Sequence, residues 1–350
     1  MQIIPFGVLT RPDSQERRHV DLVTLESSAL LVAVHTLGAT LHTVEAPDRT
    51  GRRERVCLQL DTADEYHDAS ASTYIGATCG RWANRISGAS YEVDDRRVQL
   101  LANDGDAHLH GGPDGFSRRV WDIAATTPGD DGGTVVLALH SPDGDQGHPG
   151  NLDVTATFHL HGHVLRITYE ASTDTPTACT LTNHAYWNLA GPSAGAIECS
   201  IDDHELRVSA EHVLPVDHRS LPVGLLASVD ATPYDLREPR PLDEVLTTTG
   251  GLDLAYAIEG DEDATESDGL HLAAELHHPG TGRTLTVATD QPALQVYSAE
   301  RLGPPFQRRA AICLEAQQFP DAPNLPWVGE AFLRPGGHLR ATTELTFGVR

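Results

Sequence analysis

The feature that most constrains this chain is a series of short apolar or alternating segments that recur along most of its length. They cover residues 20–25, 30–37, 56–60, 134–139, 154–160, 164–169, 205–209, 284–288, 294–297 and 339–347. The segments are rich in Val, Leu and Thr, and turn signals such as Asp104-Gly105 and Asp143-Gly144 separate them. Few windows keep a helical period, although residues 61–68 predict a turn or two of helix. The pattern predicts an all-β, antiparallel protein.

Strands that do not alternate with helices argue against a doubly wound sheet or a TIM barrel, so we expect a large antiparallel β-sandwich. All-β folds often continue for about 200–250 residues or more as one domain, and we expect a single domain over residues 1–350. Residues 259–269 are acidic and contain no apolar side chain larger than alanine, which predicts a mobile surface loop within that domain. A linker between two domains is the alternative interpretation of this stretch.

The charge of the chain restricts its partners. Its formal net charge is −25, and its 25 Lys and Arg residues are all arginine, which both codon bias in a GC-rich genome and adaptation to salt would explain. An acidic surface repels phosphate backbones and anionic lipids, so neither nucleic acid nor a membrane is an expected partner. No run of about 18 apolar residues predicts a membrane span, and the N-terminus lacks the charged start of a secretory signal. We therefore expect a cytoplasmic protein.

Five cysteines are widely spaced along the chain: Cys57, Cys79, Cys179, Cys199 and Cys313. Their odd number and the absence of a C-x-x-C pair argue against a disulfide framework and against a structural zinc site. We expect them to be reduced core residues, and this includes Cys313 despite its position near an acidic motif.

Two histidines, His108 and His110, form an H-x-H pair that would project from one side of a strand. Asp114 follows four residues later, and together these residues suggest a cupin-like metal centre as an alternative. The sequence Gly111-Gly112-Pro113 breaks the strand between them, and H-x-H alone is a weak signal. We therefore expect neither a metal nor another cofactor.

A third histidine, His184, has Asn183, Trp187 and Asn188 as neighbours in sequence. Trp187 offers a flat apolar face of the kind on which sugars stack, and the two asparagines offer paired donors and acceptors. Glu315 follows an apolar run, so we expect it to be partly buried with a raised pKa, as suits a general base. These residues make a carbohydrate pocket plausible.

Six further motifs occur in one order along the chain. They are Gly80-Arg81-Trp82-Ala83-Asn84-Arg85-Ile86, His108-Leu109-His110-Gly111-Gly112, Ser141-Pro142-Asp143-Gly144 with Pro149-Gly150-Asn151-Leu152, Leu181-Thr182-Asn183-His184-Ala185-Tyr186-Trp187-Asn188-Leu189, Gly250-Gly251-Leu252-Asp253, and Leu314-Glu315 through Gln318-Phe319-Pro320-Asp321-Ala322-Pro323-Asn324. With them the chain resembles the aldose 1-epimerase (galactose mutarotase) family from about residue 38 almost to its C-terminus. The resemblance implies a galactose mutarotase-like β-sandwich that interconverts the α and β anomers of a free aldohexose such as galactose or glucose.

Residue roles follow from the resemblance position by position. It implies that Glu315 removes the proton of the anomeric hydroxyl, that His184 protonates the ring oxygen, and that His110 binds and polarises the sugar. Asn84, Arg85, Asp253 and Gln295 match the family's contacts to sugar hydroxyls. Opening a pyranose needs one base and one acid, so the chemistry of these side chains fits the implied reaction without a cofactor.

Two departures from the family pattern lie near the expected sugar contacts. The family usually has histidine after the aspartate where this chain has Leu254, and an aromatic residue where it has His148. A non-catalytic carbohydrate-binding protein and a sugar-phosphate epimerase are the alternative functions, and either a monomer or a homodimer fits the sequence. The presence of both Glu315 and His184 favours the enzyme, and the acidic net charge argues against an anionic substrate.

Overall fold

The computed structural model describes residues 1–10, 17–68, 73–191, 200–258 and 269–350. The acidic stretch predicted as a loop, 259–269, lies outside the described residues except for Gly269. One five-stranded sheet has the order β1 (Gln2–Thr10), β2 (Arg17–Glu26), β3 (Leu31–His35), β4 (Thr40–Pro47) and β5 (Arg53–Arg55). In the described part of the chain, no helix is long and apolar enough to cross a membrane.

Two larger sheets and four small ladders contain the remaining strands, all paired antiparallel. The nine-stranded sheet has the order β11 (Asp122–Gly129), β12 (Gly132–Ser141), β13 (Leu152–His161), β14 (Val164–Thr173), β28 (Leu339–Val349), β24 (Arg283–Thr289), β23 (His271–His277), β18 (Glu205–Val208) and β21 (Arg240–Pro241). The six-stranded sheet has the order β17 (Tyr186–Trp187), β26 (Ile312–Gln317), β25 (Ala293–Tyr297), β22 (Asp253–Ala257), β19 (His212–Leu214) and β20 (Ala227–Ser228). The ladders are β6 (Thr78–Cys79) with β16 (Thr182–Asn183), β7 (Arg85–Ile86) with β10 (His108–Leu109), β8 (Ser90–Val93) with β9 (Arg96–Gln99), and β15 (Thr177–Ala178) with β27 (Phe332–Leu333).

Short helices connect some of the strands. The α-helices are α1 (Ala63–His67) and α2 (Leu242–Thr249), and the 3₁₀ turns are Ser87–Ala89, Phe116–Arg118, Asp145–Gly147 and Ala322–Asn324. The prediction of a helical turn within residues 61–68 is confirmed, because Thr62 and Glu65 form a capping box at the start of α1. Helix α2 was not predicted, although Leu242, Val245 and Leu246 form its buried stripe.

The core lies between the nine-stranded sheet and the other two. Side chains alternate between the core and the surface along strand β13, where Val154, Ala156 and Phe158 are buried and the residues between them are more exposed. These side chains join one apolar cluster with Leu25 of β2 and Leu314 of β26.

The predicted all-β sandwich is confirmed. The strand predicted over residues 56–60 is wrong, because that segment makes only an isolated bridge between Cys57 and Trp187.

The six-stranded sheet has one apolar and one polar face, and this division positions the functional side chains. Its apolar face joins the core through Leu254, Tyr256, Leu294, Val296, Leu314 and Ala316. Alternation then turns their neighbours Asp253, Gln295, Cys313 and Glu315 to the opposite face. The register places Gln295 directly opposite Glu315 on neighbouring strands.

Candidate active site

Glu315 lies near the middle of β26 and is 2% exposed. Its Oε2 has no hydrogen-bond partner among the described residues. Burial raises the pKa of Glu315 well above its ordinary value, and the charge of Asp253 raises it further while Arg85 opposes the shift. The carboxyl group therefore holds its proton more tightly than a glutamate in water.

His184 lies between β16 and β17, where its backbone is held on both sides. Its amide donates to Ala77 O at 2.9 Å, and its carbonyl accepts from Gly76 N at 2.9 Å. The ring presents Nε2 at 3.7 Å from Glu315 Oε1 and Nδ1 at 3.5 Å from Cys313 Sγ. Burial lowers the pKa of His184 to about 4, so the imidazole is neutral at pH 7.

His110 follows β10 in a left-handed backbone conformation with φ +49°. The next residue must be glycine, since a Cβ on Gly111 would lie 1.7 Å from Gly80 O. His110 Nδ1 accepts a hydrogen bond from the amide of Asn84 at 3.2 Å, which places the proton of the neutral ring on Nε2. Its ring centroid lies 5.2 Å from that of His184. His110 is therefore a hydrogen-bond donor beside His184 and Glu315.

Polar side chains surround these three residues. Gln295 Nε2 donates to Asp253 Oδ1 at 2.8 Å, and the Ser220 hydroxyl donates to Asp253 Oδ2 at 3.0 Å. The amide orientation of Gln295 is thereby fixed, and its buried Oε1 has no partner within the described ranges. Arg85 donates from Nε to Asp104 Oδ2 at 2.8 Å. Within the described residues, Glu315 Oε2 and Gln295 Oε1 are acceptors without a partner and His110 Nε2 carries a proton, which together suit a polyhydroxylated ligand.

The structure brings most of the predicted site residues together. The charges of Asp253 and Arg85 shift the pKa of Glu315, and those of His184 and Arg85 shift the pKa of His110. The rings of His110 and His184 are in contact. Asn84 and Gln295 join this group through the hydrogen bonds to His110 and Asp253.

The position of Trp187 corrects the prediction that its ring stacks on a sugar. Trp187 is 1% exposed, belongs to the core cluster and lies with its ring centroid 5.7 Å from that of Phe347. His184 and Tyr186 are two residues apart and stack with ring centroids 5.0 Å apart, so Trp187 points to the other side of β17. Its role is packing in the sandwich core.

The two departures from the family pattern lie in different surroundings. Leu254 is 7% exposed and packs in the core, on the face of β22 opposite to Asp253. This position corrects the expectation that Leu254 lies beside the sugar. His148 is fully buried and contacts His108 at 3.3 Å between their Nε2 atoms.

The predicted alternative of a metal bound by His108, His110 and Asp114 is not supported by their positions. His108 places Nδ1 at 2.7 Å from Leu101 O and contacts His148 with Nε2, whereas His110 lies with His184. The two histidines diverge because β10 ends at Leu109 and His110 is left-handed. Asp114 instead pairs with Arg119 at 3.0 Å.

In the described part of the chain, two other groups have donor atoms within 4.8 Å of one another: His110 with His184 and Glu315, and Asp203 with His204 and His278. In the first group, Nε2 of His110 carries a proton because Nδ1 accepts from a backbone amide. In the second, His204 Nε2 accepts from the Leu189 amide at 2.9 Å, so its Nδ1 proton points to Asp203 at 3.1 Å. To bind a metal, His110 Nε2 and His204 Nδ1 would each need a free lone pair, but in these tautomers each nitrogen carries a proton.

Some residues around the site were missed or given another role by sequence analysis. The ring of Tyr74 lies 4.7 Å from that of His110 and 6.0 Å from that of His184, and no motif marks Tyr74 in the sequence. Ser220 and Asp104 fix Asp253 and Arg85 from distant parts of the chain. Arg81, from the same motif as Asn84 and Arg85, is buried and donates to the carbonyls of Ser141 and Pro142 at 2.9 Å each, so its guanidinium is held within the fold.

Comparisons with known proteins give a consistent result. The family model described as aldose 1-epimerase matches residues 21–346. Curated relatives include a galactose mutarotase of Bos taurus, 35% identical over 94% of both chains, and an aldose 1-epimerase of Escherichia coli (strain K12), 34% identical over 96% of both. Similar solved structures include a GalM/aldose epimerase homologue from C. elegans, with TM-score 0.83 and 27% identity over 94% of this chain and 99% of that one. A galactose 1-epimerase from Lactobacillus acidophilus has TM-score 0.82 and 27% identity over 99% and 98%.

Proposed function

Because this chain belongs to the aldose 1-epimerase family, we propose that it interconverts the α and β anomers of a free aldohexose such as galactose or glucose, with Glu315 as base and His184 as acid. One observation carries the residue assignment. Glu315 Oε2 and Gln295 Oε1 are buried acceptors without a partner in the described structure, and they lie on directly opposed residues of adjacent strands. An unpaired buried acceptor is costly, and the hydroxyls of a sugar would supply the missing donors.

The reaction requires one proton to leave the anomeric hydroxyl and one to arrive at the ring oxygen. Glu315 accepts the first and His184 donates the second from Nε2, while the bond between C1 and the ring oxygen breaks and C1 becomes an aldehyde. Rotation about the C1–C2 bond presents the other face of the aldehyde to the hydroxyl oxygen. On reclosure, His184 recovers its proton from that hydroxyl and Glu315 returns its proton to O1. Each proton transfer of this kind contributes about 10²–10⁴-fold to the rate.

The pair holds one proton in the reactive state. Before sugar binds, burial favours the neutral forms, so this proton resides on Glu315 and His184 is uncharged. Sugar hydroxyls that donate to Glu315 stabilise its carboxylate, which releases the proton to His184. The separation of 3.7 Å between His184 Nε2 and Glu315 Oε1 keeps both groups within reach of one sugar ring.

The surrounding residues bind and orient the sugar in this proposal. His110 donates from Nε2 to a sugar oxygen because its tautomer is fixed by the Asn84 amide. Asp253 and Gln295 hold hydroxyl groups, and Arg85 is kept in place by Asp104. Their roles are to position the reacting atoms, which preserves the geometry needed for both proton transfers.

A carbohydrate-binding protein without activity and a sugar-phosphate epimerase remain less suitable functions. A binder has no need for an imidazole and a carboxyl group whose His184 Nε2 and Glu315 Oε1 atoms lie 3.7 Å apart. For a sugar phosphate, the Arg85 guanidinium of this site is already paired with Asp104, and the net charge of −25 disfavours an anionic substrate.

We also propose that residues 1–350 act as one domain in the cytoplasm, as a monomer or a homodimer. The family match over 21–346 supports one domain. Four of the five cysteines, Cys57, Cys79, Cys179 and Cys313, are free and buried, which suits a reducing compartment. Size-exclusion chromatography with light scattering measures the oligomeric state.

Polarimetry on freshly dissolved α-D-galactose and α-D-glucose tests the activity and the two main roles. We expect Glu315→Gln and His184→Asn each to lower kcat by about 10²–10⁴-fold, because each removes one proton-transfer partner. The control variant is Glu344→Gln, which alters a carboxylate paired with Arg166 on the nine-stranded sheet and should leave the rate unchanged. Near-normal turnover in a folded Glu315 or His184 variant would remove that residue from its role.

A further inference from the structure

Tyr74 lies beside two of the residues that would contact the sugar. Its ring centroid is 4.7 Å from that of His110 and 6.0 Å from that of His184. His110, His184 and Glu315 each place one nitrogen or oxygen atom within 4.8 Å of the others, so a sugar that reaches all three must lie against this group. The Tyr74 ring therefore borders the space that the sugar would occupy.

The rings of this group differ in exposure. His110, His184 and Tyr186 are buried, whereas Tyr74 is partly exposed. Tyrosine suits such a border, because its ring is apolar and its hydroxyl is polar. Trp187, the ring expected to stack on a sugar, lies in the sandwich core instead. Tyr74 thus offers an aromatic surface at the site that no sequence motif marks.

An unusual backbone conformation directs Tyr74 towards the histidines. Thr73 and Tyr74 have φ values of +43° and +64°, a left-handed region that bulky side chains rarely adopt. Such conformations persist where surrounding contacts impose them, and they are frequent at ligand sites. Here the Tyr186 hydroxyl donates to Thr73 O at 3.1 Å, and Gly76 N donates to His184 O at 2.9 Å. The same segment that carries Tyr74 is thereby tied to the backbone of His184.

The Tyr74 hydroxyl is also held in place. Asn103 Nδ2 donates to this hydroxyl at 3.4 Å and to Leu109 O at 3.0 Å, and Asn103 Oδ1 accepts from Leu109 N at 2.7 Å. Burial raises the pKa of Tyr74 to about 12, so the hydroxyl keeps its proton at pH 7. One asparagine side chain therefore connects Tyr74 to the end of β10, directly before His110. The orientation of the ring is fixed before a ligand arrives.

We propose that Tyr74 is a substrate-binding residue, whose ring packs against C–H groups of the bound sugar at the exposed border of the pocket beside His110 and His184. This inference rests on the proposed function, since it takes the space between these residues as the sugar site. A neutral aldohexose in its pyranose form presents C–H groups as well as hydroxyls. Gln295 and Asp253 meet the hydroxyls, and the Tyr74 ring meets the C–H groups.

Two other roles compete with this one. The Tyr74 hydroxyl could donate to the sugar, or the ring could only support the two histidines. Tyr74→Phe keeps the ring without the hydroxyl, whereas Tyr74→Leu keeps an apolar side chain without the ring. A hydroxyl contact predicts that both variants bind sugar more weakly, and a supporting role predicts a lower kcat at unchanged affinity. A contact through the ring predicts weaker binding in the leucine variant only.

The experiment measures the Kd of D-galactose and D-glucose by isothermal titration calorimetry, because anomer exchange leaves the sugar available for equilibrium binding. Polarimetry gives kcat and KM, and thermal denaturation checks the fold. For Tyr74→Leu we expect Kd and KM to rise about two- to tenfold, as for the loss of one aromatic contact, with a smaller change in kcat. Tyr74→Phe should keep the wild-type Kd. If Tyr74→Leu does not fold, Tyr74→Met, whose unbranched side chain fills irregular gaps, takes its place with the same expectation.

Tyr234→Leu is the matched control, since Tyr234 is also partly exposed but packs against the sandwich core. We expect it to keep the wild-type Kd and KM. A folded Tyr74→Leu or Tyr74→Met protein with wild-type Kd would overturn the inference, and so would a Tyr74→Phe protein impaired as much as these variants. A wild-type protein that binds the sugars without accelerating mutarotation would overturn the proposed function and leave the binding role of Tyr74 open to the same comparison. A wild-type protein that binds neither sugar would overturn both.

Discussion

The pH dependence of the reaction tests whether Glu315 and His184 share a single proton. In the profile of kcat/KM, the two limbs report the ionisations of the free enzyme. If the pKa values were ordinary, the carboxylate would set the acid limb and the imidazole the alkaline limb. The burial of both groups reverses this order, because it lowers the pKa of His184 to about 4 and raises that of Glu315 well above its ordinary value. We expect His184 to set the acid limb and Glu315 the alkaline limb.

The free energy that opposes charging His184 follows from the shift of its pKa. A pKa of about 4 for His184 against 6.5 is a shift of about 2.5 units, or about 3.4 kcal/mol against charging the ring. In the reactive form, Glu315 is a carboxylate and His184 is protonated. If the pKa of Glu315 had its ordinary value of 4.5, this form would make up about a quarter of the singly protonated pairs, and the raised pKa of Glu315 makes the fraction smaller. Sugar binding must therefore stabilise the carboxylate. Consequently, the alkaline limb of kcat should lie at lower pH than that of kcat/KM.

The assay is initial-rate polarimetry from about pH 3.5 to 9, with the uncatalysed rate subtracted at each pH. The residual activity of Glu315→Gln should lose the alkaline limb, and that of His184→Asn should lose the acid limb. The coupled pair is best described by macroscopic constants, so each limb is assigned by the variant that removes it. If Glu315→Gln lost the acid limb and kept the alkaline one, the reversed protonation would be refuted.

Two further predictions concern the core and the absence of a metal requirement. Trp187→Ala should lower the free energy of unfolding by about 3–5 kcal/mol, because the ring is 1% exposed and packs on Phe347. The folded variant should keep its KM for galactose. Urea denaturation and steady-state kinetics measure the two quantities, and a raised KM at unchanged stability would contradict the prediction. Mutarotation should continue at the same rate in excess EDTA, since the tautomer of His110 leaves a proton on the nitrogen a metal would need; loss of activity that a divalent ion restores would contradict this.

Much of the fold could be predicted from the sequence because the signals are local. The alternation along 154–160 predicts β13, and the Thr62 to Glu65 spacing supports the helical turn at α1. The segment 56–60 has the same apolar character but forms an isolated bridge at Cys57, because Val56 N donates to Val44 O of β4 whereas Leu58 N donates to Tyr186 O of β17, and neither contact extends into a ladder. Sequence periodicity reports which face is buried and does not report whether a partner strand is present.

Part of the site could be predicted as well, because some of its residues lie in local sequence motifs. Glu315, His184 and His110 belong to recognisable motifs, and the resemblance assigned their roles. The tautomer of His110 depends on the Asn84 amide, which is a contact between two separate segments of the chain. Tyr74 likewise reaches two histidines from a segment without a motif. Such contacts depend on register and side-chain direction, which residue types alone do not specify.

Strand parity, by contrast, is in the sequence and would have corrected two expectations. Residues at odd separations along a strand point to opposite faces, so a site built on His184 and Tyr186 excludes Trp187 from the same face. The same rule applies on β22, where Asp253 faces the site and Leu254 packs in the core. Leu254 therefore belongs to the packing beneath the sheet, and the polar residue that β22 presents to the proposed site is Asp253, held by Gln295 and Ser220.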